Sequence, residues 1–209
     1  MKTFLQKRFL FLPSPQHPSY SHIGWHLRWR LGFLRAQLLC RPCWALKASL
    51  GLGPRVTWGQ RVSFLSSVRV AGSGQISIGD DTIFASNPDL YTHSSTAHLK
   101  IGKNTFLNGT RFGCSTSINI GADCILADAR IMDTDFHSIE KNRFSRKAIV
   151  KTAAVVIEEN VWIAAGSAIL KGVRIEKDSV IAFGSVVNNS VSGGKIYAGN
   201  PAKEIGNVP

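Results

Sequence analysis

The part of this 209-residue chain best equipped for chemistry lies between 132 and 150. It begins Met132-Asp133-Thr134-Asp135-Phe136-His137-Ser138-Ile139-Glu140-Lys141-Asn142-Arg143. A neutral imidazole accepts a proton near pH 7, so His137 has the chemistry of a general base. A base works better when a carboxylate holds its second ring nitrogen. Asp133 and Asp135 are the nearest in sequence, with Asp128 a little upstream. On residue types alone, a single histidine in a polar stretch is more often a surface residue than a base. The two aspartates are as readily loop caps.

Other reactive residues carry weaker signals. Cys40-Arg41-Pro42-Cys43 is a single CxxC with no second pair at zinc spacing and no thioredoxin-like βαβ setting, so its cysteines, with Cys114 and Cys124, read as reduced thiols. Gly72-Ser73-Gly74 has neither the third glycine nor the helix of a dinucleotide fingerprint. No metal-ligand cluster is visible, and no metal is expected. His93 and His98 fall in the stretch 85–100 and read as loop residues. Asn108, in Phe106-Leu107-Asn108-Gly109, suits a turn that tolerates positive φ.

The elements that hold these residues follow from a six-residue period. Ile157, Ile163, Ile169, Ile175, Ile181 and Val187 are evenly spaced, and four residues after each stand Val161, Ser167, Val173, Ser179, Ser185 and Val191. An α-helix turns by about 600° in six residues, so it cannot keep such a column on one face. An unbroken strand would be implausibly long. A solenoid with three short strands per 18-residue coil satisfies the spacing, with aliphatic residues stacked inside about 4.8 Å apart. The same unit recurs upstream as Ile78/Phe84, Ile101/Leu107 and Ile120/Leu126, and Val56, Val62 and Val68 suggest an earlier coil. The register slips at 84–101, 107–120 and 126–157 predict inserted loops, which in solenoids gather on a functional face.

The N-terminal end is different in kind. Residues 1–79 contain 11 Lys/Arg and no acid, whereas 80–209 contain 14 Lys/Arg against 13 acids. The net charge of +12 therefore belongs to one end, and a fold-wide nucleic-acid surface is not expected. Lys7 and Arg8 interrupt the first apolar stretch, which weakens a signal-peptide reading, and no apolar run is long enough to span a membrane. Ile23, Leu27, Leu31, Leu34 and Leu38 fall on one helical face, beside Trp25, Trp29 and Phe33 and interleaved with arginines. This pattern fits a helix packed on its own fold, a helix lying on an anionic membrane, or an Arg-rich transit-like segment. The period-two alternation over 25–31 also leaves a strand open. The chain divides into a basic, aromatic-rich segment, 1–50, and a repeat domain, 51–209.

The repeat domain resembles the hexapeptide-repeat acyltransferases. The resemblance rests on Val161-Trp162-Ile163-Ala164-Ala165-Gly166, Ile169-Leu170-Lys171-Gly172-Val173, Val180-Ile181-Ala182-Phe183-Gly184-Ser185-Val186-Val187 and Ala198-Gly199-Asn200-Pro201-Ala202-Lys203. These are similar to the C-terminal signature of maltose, galactoside, nodulation-factor and serine acetyltransferases. The segment Asp133-Thr134-Asp135-Phe136-His137-Ser138-Ile139 is most similar to O-acetyltransferases of surface-polysaccharide biosynthesis. The resemblance implies a mainly β fold, a left-handed parallel β-helix of hexapeptide repeats with a partly helical N-terminal segment. It further implies a homotrimer with active sites between subunits, and acetyl-CoA as acyl donor.

By the same resemblance His137 is the catalytic base and Asn108 contacts the acceptor; the imidazole's orienting partner is Asp133 or Asp135, from their nearness in sequence, or equally a backbone carbonyl. Ala165, Gly166 and Phe183 lie along the pantetheine arm, the Ala165 amide near the thioester, and Lys203 near the CoA phosphates. Two departures stand out: Phe183 replaces a common alanine, and Asn188-Asn189 replaces a frequent Thr-Lys pair. The expected activity is acetyl transfer to a sugar hydroxyl, on a polysaccharide or a lipid-linked precursor, at the cytoplasmic face of a membrane contacted through 1–45. The rivals are an amino sugar or small molecule such as serine or an antibiotic as acceptor, a non-catalytic β-helix scaffold, and a basic nucleic-acid binder.

Overall fold

The computed structural model describes residues 23–209, without the side chains of 23–27 and Trp29. The stretch around Lys7 and Arg8, and with it the signal or transit reading, lies outside the described residues. So do the side chains of Ile23, Trp25, Leu27 and Trp29.

The chain starts with helix α1 (Ile23–Arg35), one π-helical turn (Ala36–Cys40) and helix α2 (Arg41–Ser49). Six coils follow, each with three short strands. They are β1 (Arg55–Trp58), β2 (Ser63–Phe64) and β3 (Arg69–Gly72); β4 (Gln75–Ile78), β5 (Ile83–Phe84) and β6 (Asp89–Thr92); β7 (His98–Ile101), β8 (Phe106–Asn108) and β9 (Arg111–Cys114); β10 (Ser117–Ile120), β11 (Ile125–Ala127) and β12 (Arg130–Met132); β13 (Val155–Ile157), β14 (Trp162–Ile163) and β15 (Ala168–Ile169); and β16 (Arg174–Ile175), β17 (Val180–Ile181) and β18 (Val186–Val187). The first, second and third strands of each coil stack in parallel into faces A, B and C of a prism. Val191 begins a partial seventh coil by pairing with Ile175. An antiparallel hairpin, β19 (Lys195–Gly199) and β20 (Ala202–Asn207), closes face B.

The six-residue column accounts for the interior. Ile157 stacks on Ile175, Ile163 on Ile181 and Ile169 on Val187, one pair per face, and every member is at most 1% exposed. The second column, Val161 through Val191, is buried at the corners. Its serines satisfy their hydroxyls locally, as Ser185 Oγ does on the Ala182 carbonyl at 2.7 Å. The A–B corner needs left-handed backbone, and polar residues supply it: Arg61, Asp81, Asn104, Asp123, Asn160 and Asp178 all have φ between 52° and 61°.

Three details differ from expectation. Val56, Val62 and Val68 mark a real coil but not its inward column. Trp58 and Phe64 are the partners of Ile78 and Phe84, and Val62 takes a corner position like Val161. The slips at 84–101 and 107–120 are mostly face C strands, β6 and β9, with lengthened corners. The long insertion is the loop after β12, where stacked partners are 37 residues apart, Ile118 with Val155, instead of the 18 separating Val156 from Arg174. His98, expected in a loop, stands on β7 as an outward residue of face A.

The helices cap the open N-terminal end of the prism, as a solenoid requires. The packing face is made of small residues. Ala36 is buried, and a Cβ on Gly32 would lie 2.5 Å from Ser63 Oγ. Trp44 stacks on Trp58 and Phe64, with ring centroids 5.0 and 5.4 Å away, and Phe64 continues to Phe84 at 4.9 Å. The expected leucine face turns the other way: Leu31, Leu34 and Leu38 are exposed.

Candidate active site

Two edges of the prism and the long loop hold the expected site residues. Along the B–C edge the chain turns through positive φ at Asn87, Gly109, Asp128, Gly166 and Gly184 in successive coils. Consecutive turns are tied by Asp128 N–H to the Asn108 carbonyl, Gly166 N–H to the Asp128 carbonyl and Gly184 N–H to the Ala165 carbonyl, at 2.5, 3.1 and 3.0 Å. Asn108, Ala165, Gly166 and Phe183 therefore share one edge. The Ala165 amide donates to no group among the described residues, so it is free at the surface. Phe183 is 78% exposed, and its ring borders Gly166. Lys203 projects from β20 at the end of face B and is exposed.

The loop leaves from the other side of face C. Its two roots are joined by a Thr134–Thr152 bridge, by Ala153 N–H to the Asp133 carbonyl at 2.9 Å and by Asp135 N–H to the Lys151 carbonyl at 3.1 Å. Lys171 Nζ, at the same C–A edge one coil on, holds Asp135 Oδ1 at 2.6 Å. The chain then turns sharply: Phe136 has φ of 59°, and His137 N–H donates to the Asp135 carbonyl at 2.6 Å. A left-handed aromatic is an uncommon conformation that its surroundings must enforce. Thr134 Oγ1, which accepts from Phe136 N–H at 3.1 Å, is one such restraint. The turn leaves His137 exposed, and its imidazole makes no hydrogen bond among the described residues.

The structure separates the two aspartates. Asp133 is fully buried, and its carboxylate accepts from the amides of Ser115, Thr116 and Ser117, each at 2.7 Å, and from Thr116 Oγ1 at 3.0 Å. It fastens the C–A corner between the third and fourth coils. The expectation that it orients the His137 ring is corrected: both oxygens are committed to that corner. Asp135 is near His137 in the chain but gives its carboxylate to Lys171, so it anchors the loop instead of touching the imidazole.

Sequence reasoning passed over the residues that seat the loop. Phe136 packs edge-on against His93, centroids 4.8 Å apart, and His93 lies 4.3 Å from Tyr91. His93 is thus a packing partner of the loop that carries His137, and partial burial lowers its pKa, opposed by the negative charge of Asp133. Lys171 was visible only as part of a repeat. The 18-residue period was the available signal, because it places Lys171 beside the loop's return at Ala153. The buried Cys114 and Cys124 have pKa values raised to about 12 and about 11, chiefly by burial, which makes them inert core thiols. Cys40 and Cys43 are free and unpaired with each other.

His137 and Ala165 belong to different edges. Across face C, Ala129–Met132 separates the B–C corner from the C–A corner, about 13 Å of extended chain.

Residues 154–189 match the family described as bacterial transferase hexapeptide (six repeats). Over 115 residues the chain is 30% identical to a galactoside O-acetyltransferase of Lactococcus lactis, covering 54% of this chain and 55% of that one. Over 51 residues it is 45% identical to a 2,3,4,5-tetrahydropyridine-2,6-dicarboxylate N-acetyltransferase of Staphylococcus aureus, covering 24% and 21%. The chain thus spans about half or less of the curated relatives it matches. Among solved structures, the polySia specific acetyltransferase NeuO superposes with a TM-score of 0.56 at 24% identity, over 75% of this chain and 67% of that one. A hexapeptide-repeat-containing acetyltransferase from Vibrio cholerae superposes with a TM-score of 0.51 at 22% identity, over 88% and 89%. At these identities the structural likeness concerns the fold.

Proposed function

We propose that this hexapeptide-repeat protein is an acetyltransferase that moves the acetyl group of acetyl-CoA to a sugar hydroxyl. The observation that carries the reading is the presentation of His137. A left-handed turn, a zipped loop root and the Lys171–Asp135 ion pair hold an exposed imidazole clear of other protein groups. Such a group can accept the hydroxyl proton as the acceptor oxygen attacks the thioester carbon. When the carbon–sulfur bond breaks, the same imidazolium returns the proton to the leaving thiolate. The free Ala165 amide is a preorganised donor for the oxyanion that forms between these steps. Acetyl-CoA as donor is supported by the acetyltransferase names of the relatives, and the B–C edge beside Gly166 and Phe183 is where its pantetheine arm would run. Phe183 narrows that path, and Lys203 supplies a cation toward the phosphates.

Because His137 and Ala165 lie on different edges, one prism does not complete the site. In our reading a homotrimer joins the C–A edge of one protomer to the B–C edge of its neighbour, with Asn108 at the acceptor. The N-terminal cap turns Leu31, Leu38, Leu39 and Leu46 outward in a segment without acids, which suits attachment to an anionic cytoplasmic membrane face and a lipid-linked acceptor. No helix among the described residues is long and apolar enough to cross a membrane.

The test is thiol release from acetyl-CoA across nucleotide sugars, neutral oligosaccharides and small amines, with wild type and His137→Ala. Acceptor-dependent release that the substitution abolishes supports the transferase. Release that survives it removes His137 from catalysis, and no release with any acceptor favours a scaffold. The match to an N-acetyltransferase gives an amine acceptor specific support. Mild alkali separates the cases, cleaving an ester product and sparing an amide.

A further inference from the structure

Face C of the first four coils carries an outward row in register: Arg69 stacks on Asp89, Asp89 on Arg111 and Arg111 on Arg130. Parallel stacking spaces such residues about 4.8 Å apart. The row thus holds three guanidiniums and one carboxylate, and the two that pair with it do so loosely. Asp89 Oδ2 is 3.5 Å from Arg69 and 3.8 Å from Arg111, and Arg130 makes no ion pair among the described residues. With this row, Tyr91 and Phe136 line a groove of about 330 Å³. Asp89 also lines the groove, and its Oδ1 is buried without a hydrogen-bond partner. Buried acceptors are ordinarily satisfied, so an unmet one on a groove-lining residue marks a place for a ligand hydroxyl or a bound water.

The groove thus offers excess positive charge, aromatic faces and an unmet acceptor, and it runs under the residue that precedes His137. We propose that it binds an acidic sugar acceptor. An oxyanion of the acceptor faces Arg111 and Arg130, its ring lies against Tyr91 and Phe136, and a hydroxyl is carried toward His137. This rests on the transferase reading and adds the acceptor's charge to it. The oxyanion can be the carboxylate of an acidic sugar or the phosphate of a pyrophosphate-linked one. Guanidinium recognises both through paired N–H donors.

The test is calorimetric binding to the full chain without acetyl-CoA, so that it does not depend on transfer. The probes are UDP-N-acetylglucosamine, UDP alone, an oligosaccharide containing glucuronic acid, and neutral maltotriose, each at low and high salt. The expected result is that a charged probe binds in preference to maltotriose. Its affinity should fall with salt, and by at least about tenfold in Arg111→Gln/Arg130→Gln, which removes both guanidiniums that face the oxyanion. Binding shared by UDP alone assigns the site to phosphate; binding of the glucuronic acid oligosaccharide assigns it to carboxylate. The salt dependence of the wild type reads the charge requirement even if the double variant folds poorly. Maltotriose bound as tightly as the charged probes, no probe bound at millimolar concentration, or salt-independent affinity overturns the proposal. Thiol release with a neutral acceptor, together with any of these, leaves the transferase reading standing.

Discussion

Phe136 occupies the space that Gly113 leaves by having no side chain: a Cβ at Gly113 would come within 2.4 Å of the Phe136 Cζ. A substitution on β9 therefore reaches the loop that carries His137. Gly113→Ala adds one methyl group and should push the Phe136 ring outward. Misplacement of a base by about 1 Å costs on the order of 100-fold in rate, so kcat for acetyl transfer should fall by roughly that factor. The prism should stay intact, with a melting temperature within a few degrees of wild type. Steady-state kinetics beside a thermal melt checks this, and an unchanged kcat breaks the link between Phe136 packing and His137.

Asp133 predicts a different outcome, since it acts on stability. Asp133→Ala would strand the amides of Ser115, Thr116 and Ser117 in a corner that the carboxylate now satisfies. Removing a buried charged acceptor of this kind costs about 3–5 kcal/mol. Urea denaturation should show that loss, with a smaller one for Asp133→Asn, which keeps one acceptor oxygen. A loss below about 1 kcal/mol would mean that water replaces the carboxylate at that corner.

His93 reports on the same packing through pH. Its pKa is lowered in the folded protein, mainly by burial. A depressed folded value means that the stabilising contribution is fully present above the unfolded pKa, about 6.5, and is lost as pH falls through the folded value. Histidine NMR should place the His93 midpoint below 6.5, and Phe136→Ala should raise it by re-exposing the ring. A midpoint that does not respond to Phe136→Ala would show that the ring contact contributes nothing to the shift.

Legibility differed between the repeats and the loop. The stack of Ile157 on Ile175 and Ile163 on Ile181 was readable because a period of six admits few backbones and each position is buried. The first coil was harder: its aromatic column, Trp58 and Phe64, faces the helical cap, and the valines two residues earlier keep the same spacing. In the loop, His137 could be picked out by type and resemblance. The fates of Asp133 and Asp135 could not, because they depend on which coil-edge groups lie underneath. Asp133 meets three amides from 115–117, and Asp135 meets Lys171, contacts between residues 16 to 36 apart. The arginine row was hidden for a similar reason. Arg69, Asp89, Arg111 and Arg130 are unevenly spaced in sequence and align only after the corners take up the extra residues.

The outward leucines make the last prediction. An apolar helical stripe was expected to pack on the fold or on a membrane, and the small residues Gly32 of α1 and Ala36 of the π-helical turn take the packing role. Leu38 and Leu39 are left 68% and 65% exposed, next to Arg35 and Arg41. If this surface meets lipid, the protein should sediment with phosphatidylglycerol vesicles, less with phosphatidylcholine alone, and less again as salt screens the arginines. Leu38→Glu/Leu39→Glu removes apolar area worth about 1.5–3 kcal/mol per fully buried leucine, so partitioning should drop by at least about tenfold. Both positions already face solvent, and the melting temperature should hold. Equal sedimentation of wild type and variant, or indifference to the anionic lipid, would remove the membrane from the role of this helix and leave it as the cap of the prism.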